Sequence, residues 1–212
     1  MALTKAVEAV DAWAKVTQPG VREGATVDLT PNYETMLHID VCLAEAVAET
    51  AGAEIRVEIS SNTTGDADWT VYARLGGPTG TAESEPLSAN EAAGQTILSV
   101  ANPTTNNLDN PGRFIFFEDT VDVTLSEIIY QVSNEGDVAG TITILDGLTN
   151  AHTAAGALMW FIDSTTTYSG AVAQYSIALP MSANRVRVVY DSTHATAANI
   201  ACRSRLSKVT GV

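Results

Sequence analysis

In MLHIDVCLA, residues 36–44, Leu37, Ile39, Val41 and Leu43 alternate with His38, Asp40, Cys42 and Ala44. A repeat of two is what a pleated strand produces when one face is buried and the other is not, and it does not fit the 3.6-residue period of a helix. The same rhythm returns in EIRVEIS (54–60) and, after the polar turn SNTTGDAD (61–68), in WTVYARL (69–75). TVDLT (26–30) precedes them, and AVAQYSIAL (171–179), NRVRVVYDS (184–192) and AANIACRSRL (197–206) follow far downstream. Neither set closes a core alone, because three strands make a marginal sheet. Joined, they give seven strands, the usual count of an immunoglobulin-like sandwich. The chain lacks the Cys…Trp…Cys framework of antibody domains, so the strand order stays open. The expected fold is all-β: an Ig-like or jelly-roll-like β-sandwich.

Between the two sets lies a block with a different charge. Residues 81–160 carry eleven acidic side chains (Glu83, Glu85, Glu91, Asp109, Glu118, Asp119, Asp122, Glu127, Glu135, Asp137, Asp146) against one basic, Arg113, which accounts for most of the net charge of −14. Five short apolar runs punctuated by Asn, Asp, Gly and Pro fill it: GQTILSVA (94–101), GRFIFFE (112–118), SEIIYQVS (126–133), TITILDGL (141–148) and ALMWFI (157–162). Five strands in under seventy residues predict a small barrel or compact sandwich. The expected organisation is an arm over 1–20, a discontinuous sandwich domain over 21–75 and 163–212, a linker over 76–92, and an inserted acidic β domain over 93–162. Insertion into an exposed loop is the well-tolerated route to such a layout. DSTTTYSG (163–170) is read as the return linker.

At the N-terminus, Leu3, Ala6, Val7, Val10, Trp13 and Ala14 recur at helix-like intervals and predict a short amphipathic helical arm. The arm either folds back over the β core or docks on a neighbour. Glu8 and Asp11 interrupt any continuous apolar run there, so no signal peptide is read, and nowhere do eighteen apolar residues run together as a membrane span requires. With 45 % hydrophobic and 17 % charged residues the chain is in the globular range. Its acidity argues against nucleic acid, which needs concentrated Lys and Arg. Cys42 and Cys202 sit in apolar strands of a chain without an export signal, so they are read as buried free thiols. The sequon Asn62-Thr63-Thr64 is read as chance on the same ground.

Residues able to do chemistry are sparse. His38, His152 and His194 have no second ligand at metal spacing, and His38 and His152 are read as surface or turn residues. Glu118, Asp119 and Asp122 form the densest carboxylate cluster. It is read as a solvated loop closing a strand, because the twelve-residue calcium-loop pattern is absent. Phe114, Phe116 and Phe117 are read as core of the small module rather than a sugar-stacking platform. No nucleophile elbow, phosphate loop or dinucleotide glycine pattern occurs, so no enzyme, cofactor or metal is expected. If NRVRVVY and ANIACRSRL pair as a hairpin, Arg185, Arg187, Arg203 and Arg205 share its outer face. That face is either simply solvated or an electrostatic docking surface. With Leu3, Val7, Val10 and Trp13 of the arm, these arginines are the candidate interface residues.

The block also resembles a module common in the virion proteins of tailed bacteriophages, through AAGQTILSVANPTT (92–105) and SEIIYQVSNEGDVAGTITILDGLTNAHTAAGALMWF (126–161). Upstream, VREGATVDLTPNYETMLHIDVCLAEA (21–46), EIRVEIS and DADWTVYA (66–73) are similar to the β-sandwich half of such proteins. The resemblance implies a non-enzymatic structural protein of the virion, a capsid decoration or cement protein or a neck or tail adaptor, assembled in the host cytoplasm. Its implied partners are further copies of itself and other virion proteins such as the major capsid protein, with no nucleic acid and no membrane. An adhesin-like or carbohydrate-binding β-sandwich, using Trp69, Trp160 and the Thr-rich loops, is the alternative.

Overall fold

The computed structural model describes residues 3–17, 20–30, 34–44, 48–49, 53–65, 68–78, 80–101, 112–132, 140–162, 172–192 and 199–211. Among them the fold is all-β, with two single-turn 3-10 segments at Val123–Leu125 and Ala154–Gly156. One sheet has the order β1 (Leu3–Val16), β16 (Ile200–Gly211), β4 (Glu34–Leu43), β14 (Val172–Ala178). A second has the order β2 (Val21–Glu23), β15 (Arg185–Asp191), β6 (Glu54–Ser60), β7 (Thr70–Gly76), with β3 (Val27–Asp28) also pairing β15. Leu37, Ile39, Val41, Ile200 and Leu206 of the first sheet share one buried cluster with Ile55, Val57, Val186, Val188 and Tyr190 of the second. This is the sandwich that the period-two runs predict.

The acidic block builds most of a third sheet, β11 (Glu127–Gln131), β10 (Arg113–Asp119), β13 (Ala157–Ile162), β8 (Gly80–Pro86), whose last strand, β5 (Ala48–Glu49), comes from within the expected sandwich half, beside a ribbon of β9 (Ile97–Ser99) and β12 (Thr141–Thr143). Leu98, Ile115, Phe117, Ile129, Ile142 and Met159 make its own core. β10 explains the unbroken run FIFF. Ile115 and Phe117 enter the module core, whereas Phe116, one pleat over, joins the sandwich cluster with Trp160. A strand buried on both faces reads as a continuous apolar run instead of alternating.

Two expectations are corrected. Gly80–Pro86, inside the expected linker, is a full strand whose register with β13 runs from Leu158↔Pro86 to Ile162↔Ala82. Its Gly, Ser, Thr and Glu composition hides it, because an edge-proximal strand needs backbone pairing more than an apolar side-chain pattern. The segment 163–170 and His194 lie outside the described residues.

The N-terminal arm is a β-strand, not a helix. It pairs with β16 from Leu3↔Gly211 to Val16↔Ile200, with register shifts between Ala9 and Asp11 and between Asp11 and Ala14. Each shift inserts one extra residue in β1, and each bulge turns the period of two into a local step of three. Asp11, Trp13 and Val16 are thereby all buried. Two bulges in one strand imitate helical spacing.

Candidate functional site

Trp13 and Lys15 of β1 face the module. The Trp13 ring meets Phe116 with centroids 5.0 Å apart at 44°. Lys15 Nζ lies 2.6 Å from Glu118 Oε1, and the other oxygen of Glu118 accepts the Trp160 indole N–H at 2.6 Å. Phe116, Glu118 and Trp160 share the sandwich-facing side of the third sheet, so β1 is the element to which the module is fastened. The arm folds back over the β core. Of the four arm residues expected at an interface, Trp13 is consumed by this junction and Val10 packs against the sandwich core. Val7 stays 61 % exposed, and Leu3 opens the strand.

The four arginines do not share a face. β15 and β16 belong to different sheets, so NRVRVVY and ANIACRSRL form no hairpin. In a sandwich, consecutive strands commonly cross between layers, and proximity in sequence does not report that step. Arg203 Nε and Arg205 both bond Asp40 Oδ2, at 2.6 and 3.2 Å, and Gln174 donates to Oδ1 at 2.9 Å. Asp40 is 2 % exposed. Arg203 also lies over the Trp13 ring, 4.6 Å from its centroid. Arg187 bonds Glu58 at 2.8 Å and Glu23 at 3.0 Å, while Arg185 donates to the Asn62 carbonyl at 2.7 Å. Both guanidiniums stack on Trp69, at 4.9 Å for Arg185 and 4.5 Å for Arg187. Trp69 is half-buried beneath them, and Trp160 is 7 % exposed.

A second polar cluster lies between the sandwich sheets. Asp11, buried by the bulges, accepts from Ser204 Oγ at 2.7 Å and from the Ala25 amide at 2.8 Å, with Arg22 at 3.5 Å. The Ala25 loop can approach only because residue 24 is glycine: a Cβ there would lie 2.3 Å from Asp11 Oδ2. Arg22 reaches on to Cys202 Sγ at 3.4 Å. Both cysteines are free and buried. Burial pushes the Cys202 thiol up to about 12, and Cys42 is likewise raised well above its ordinary value.

The module holds its carboxylates differently. His152, read from sequence as a surface turn residue, has a fully buried side chain. Its Nδ1 faces Asp119 Oδ2 at 3.2 Å, its Nε2 faces Glu127 Oε1 at 3.0 Å, and its ring meets Phe117 edge-on at 4.5 Å. Each ring nitrogen therefore has a carboxylate oxygen within hydrogen-bond distance. Glu127 further accepts from the Thr149 and Asn150 amides, at 2.8 and 3.1 Å. Burial pushes the Glu127 carboxyl up, but the bonds from His152 and those amides outweigh it and hold the group below its ordinary value. Asp119 Oδ1 accepts from the Val121 and Asp122 amides, at 3.0 and 2.9 Å. Glu118 and Asp119, expected in a solvated loop, are 1 % and 6 % exposed. Only Asp122 is exposed, capping the turn through Thr124.

Because both ring nitrogens of His152 are occupied, the cluster ties the end of β10, the start of β11 and the 149–152 loop together. Its partners are 33 and 25 residues away in sequence, and no local spacing announces such a contact. No group of three or more His, Cys, Asp or Glu side chains among the described residues is arranged to hold a metal ion. No helix among them is long and apolar enough to cross a membrane.

Of the eleven Lys and Arg residues, only Lys5 has no polar partner among the described residues. Val121 is 84 % exposed and Met181 81 %. No protein family, curated protein or solved structure matches this chain.

Proposed function

We propose that this chain is a non-enzymatic structural protein of a virus particle, of the tailed-bacteriophage capsid-decoration or neck/tail type. It acts through contacts with copies of itself and with other virion proteins such as the major capsid protein, in a virion assembled in the host cytoplasm. The resemblance of residues 21–46, 54–60, 66–73, 92–105 and 126–161 to such proteins suggests the class. The observation that carries the reading is β1. This fourteen-residue strand ends its sheet, and its far edge has no partner among the described residues. Bulges blunt the second half of that edge, but Leu3 to Ala9 run in unbroken register with Val7 turned to solvent. An open edge of this length is a template for a strand from another chain.

Electron microscopy of the purified protein, and of particles from its native source probed with an antibody to it, tests the reading. Rings, or regular labelling of a particle, are expected. Val7→Lys, which places a charge on the open edge, is expected to abolish assembly and leave the thermal midpoint unchanged. A protein that stays monomeric at high concentration and labels no particle overturns the proposal.

A further inference from the structure

On the face of the module that does not enter its core, Phe114 and Tyr130 continue the row begun by Phe116 and Ile128, past the point where the sandwich covers it. They pair across β10 and β11, with rings 5.0 Å apart at 66°. With Ile128, Leu145, Asp146 and Thr149 they line a half-open cleft of about 390 Å³, a size that suits a small organic group. Phe114 is 44 % exposed and Leu145 62 %.

The walls are fixed in advance. The Leu145 amide bonds the Tyr130 carbonyl at 2.9 Å, Leu148 and Gly94 are bonded through the Leu148 carbonyl at 2.7 Å, and the Thr149 amide is held by Glu127. Gly147 lies so close to Gly94 that a Cβ would sit 2.5 Å from its carbonyl oxygen. A cleft with rigid walls loses little entropy when it binds.

The chemistry of the lining selects the ligand. No Lys or Arg lines it, and its two carboxylates are Glu127, committed to His152 and two amides, and Asp146. Asp146 is exposed and has no polar partner among the described residues. An anion is excluded by these carboxylates and by the acidity of the whole block. A purely apolar group would leave the Asp146 carboxylate facing it without compensation. Two rings crossed at 66° do not offer the flat double platform on which a pyranose stacks. An aromatic pair beside one uncommitted carboxylate, in a negative field, is the environment that stabilises an organic cation.

We propose that this cleft binds a guanidinium or alkylammonium group, the cation lying against Phe114 and Tyr130 and bonded to Asp146. The proposal does not depend on the particle reading above. It is tested by titrating the full chain, followed by amide NMR shifts of residues 145–149, with N-acetyl-arginine methylamide, N-acetyl-lysine methylamide, tetramethylammonium, and the uncharged N-acetyl-norleucine methylamide. Saturable shifts confined to the cleft are expected with the cations and not with the norleucine compound, weakening as salt is added. Preference for the amino-acid amides assigns the site to a protein side chain, and preference for tetramethylammonium assigns it to a free ammonium compound. Asp146→Asn, at an exposed position, is expected to keep the melting midpoint and weaken cation binding about tenfold. Tyr130→Leu is expected to weaken it without altering the response to salt. Equal binding of the norleucine compound, binding of methyl glucoside in preference to the cations, unchanged affinity in Asp146→Asn, or no shift with any probe overturns the proposal.

Discussion

The sandwich and the acidic module bury carboxylates to a similar degree and neutralise them by different means. In the sandwich, Asp40 is met by Arg203 and Arg205, and Asp11 by Arg22. In the module, where Arg113 is the one basic residue between 81 and 160, Asp119 and Glu127 share a histidine and four backbone amides. Glu118, on the boundary, borrows Lys15 from β1. A domain poor in cations can still bury acids, because oriented N–H groups carry enough partial charge to stabilise them. The two halves should therefore fail under different insults.

The largest effect is expected in the sandwich. Replacing Arg203 and Arg205 by Ser leaves Asp40 buried without its cations, a loss of about 3 to 5 kcal/mol, read from the urea midpoint of the whole chain. On the sequence alone these arginines would be surface substitutions worth about 0.5 kcal/mol each. A change that small would mean that Asp40 is hydrated and that the sandwich does not depend on its arginines.

His152→Ala comes next. It removes the partner shared by a buried pair of carboxylates, at about 2 to 3 kcal/mol, and the loss is expected to be local. Hydrogen exchange should accelerate at residues 113–119 and 127–131 while β4 and β15 keep their protection. Uniform acceleration through both halves would show one cooperative unit.

A smaller effect follows from acid. Glu127 has a lowered pKa in the folded chain, so its contribution is complete above the ordinary value of 4.5 and is lost as pH falls through the lower folded value. Module protection should decline below about pH 4.5, and Glu127→Gln should weaken the module at neutral pH and flatten that decline. An unchanged acid profile in Glu127→Gln would remove Glu127 from the account.

The smallest is a difference in order between two thiols. Neither should react in the native state, since burial raises both. Cys42 shares the module-facing side of β4 with Asp40, whereas Cys202 points between the sheets toward Arg22. In rising urea, Cys42 should label first. Simultaneous labelling would mean that the module does not come away before the sandwich opens.

Much of the framework was legible in local pattern. All twelve apolar runs, from TVDLT to AANIACRSRL, contain strands or bridged segments, because burying one face of a pleat forces a period of two wherever it occurs. The candidate site was far less legible. β8 escaped because backbone pairing needs no side-chain signature, and β1 was misread because two bulges broke its period into steps of three.

The sequence by itself determined that this is an all-β chain with an acidic middle, since composition and periodicity are local quantities that each residue carries with it. Only the tertiary structure decided which charges meet. It sent β15 and β16 to opposite sheets, paired Asp40 with two arginines, enclosed His152 between two carboxylates, and left Asp146 open beside Phe114 and Tyr130. Such contacts join residues from about twenty-five to nearly two hundred positions apart, and they form only when packed layers bring those positions together.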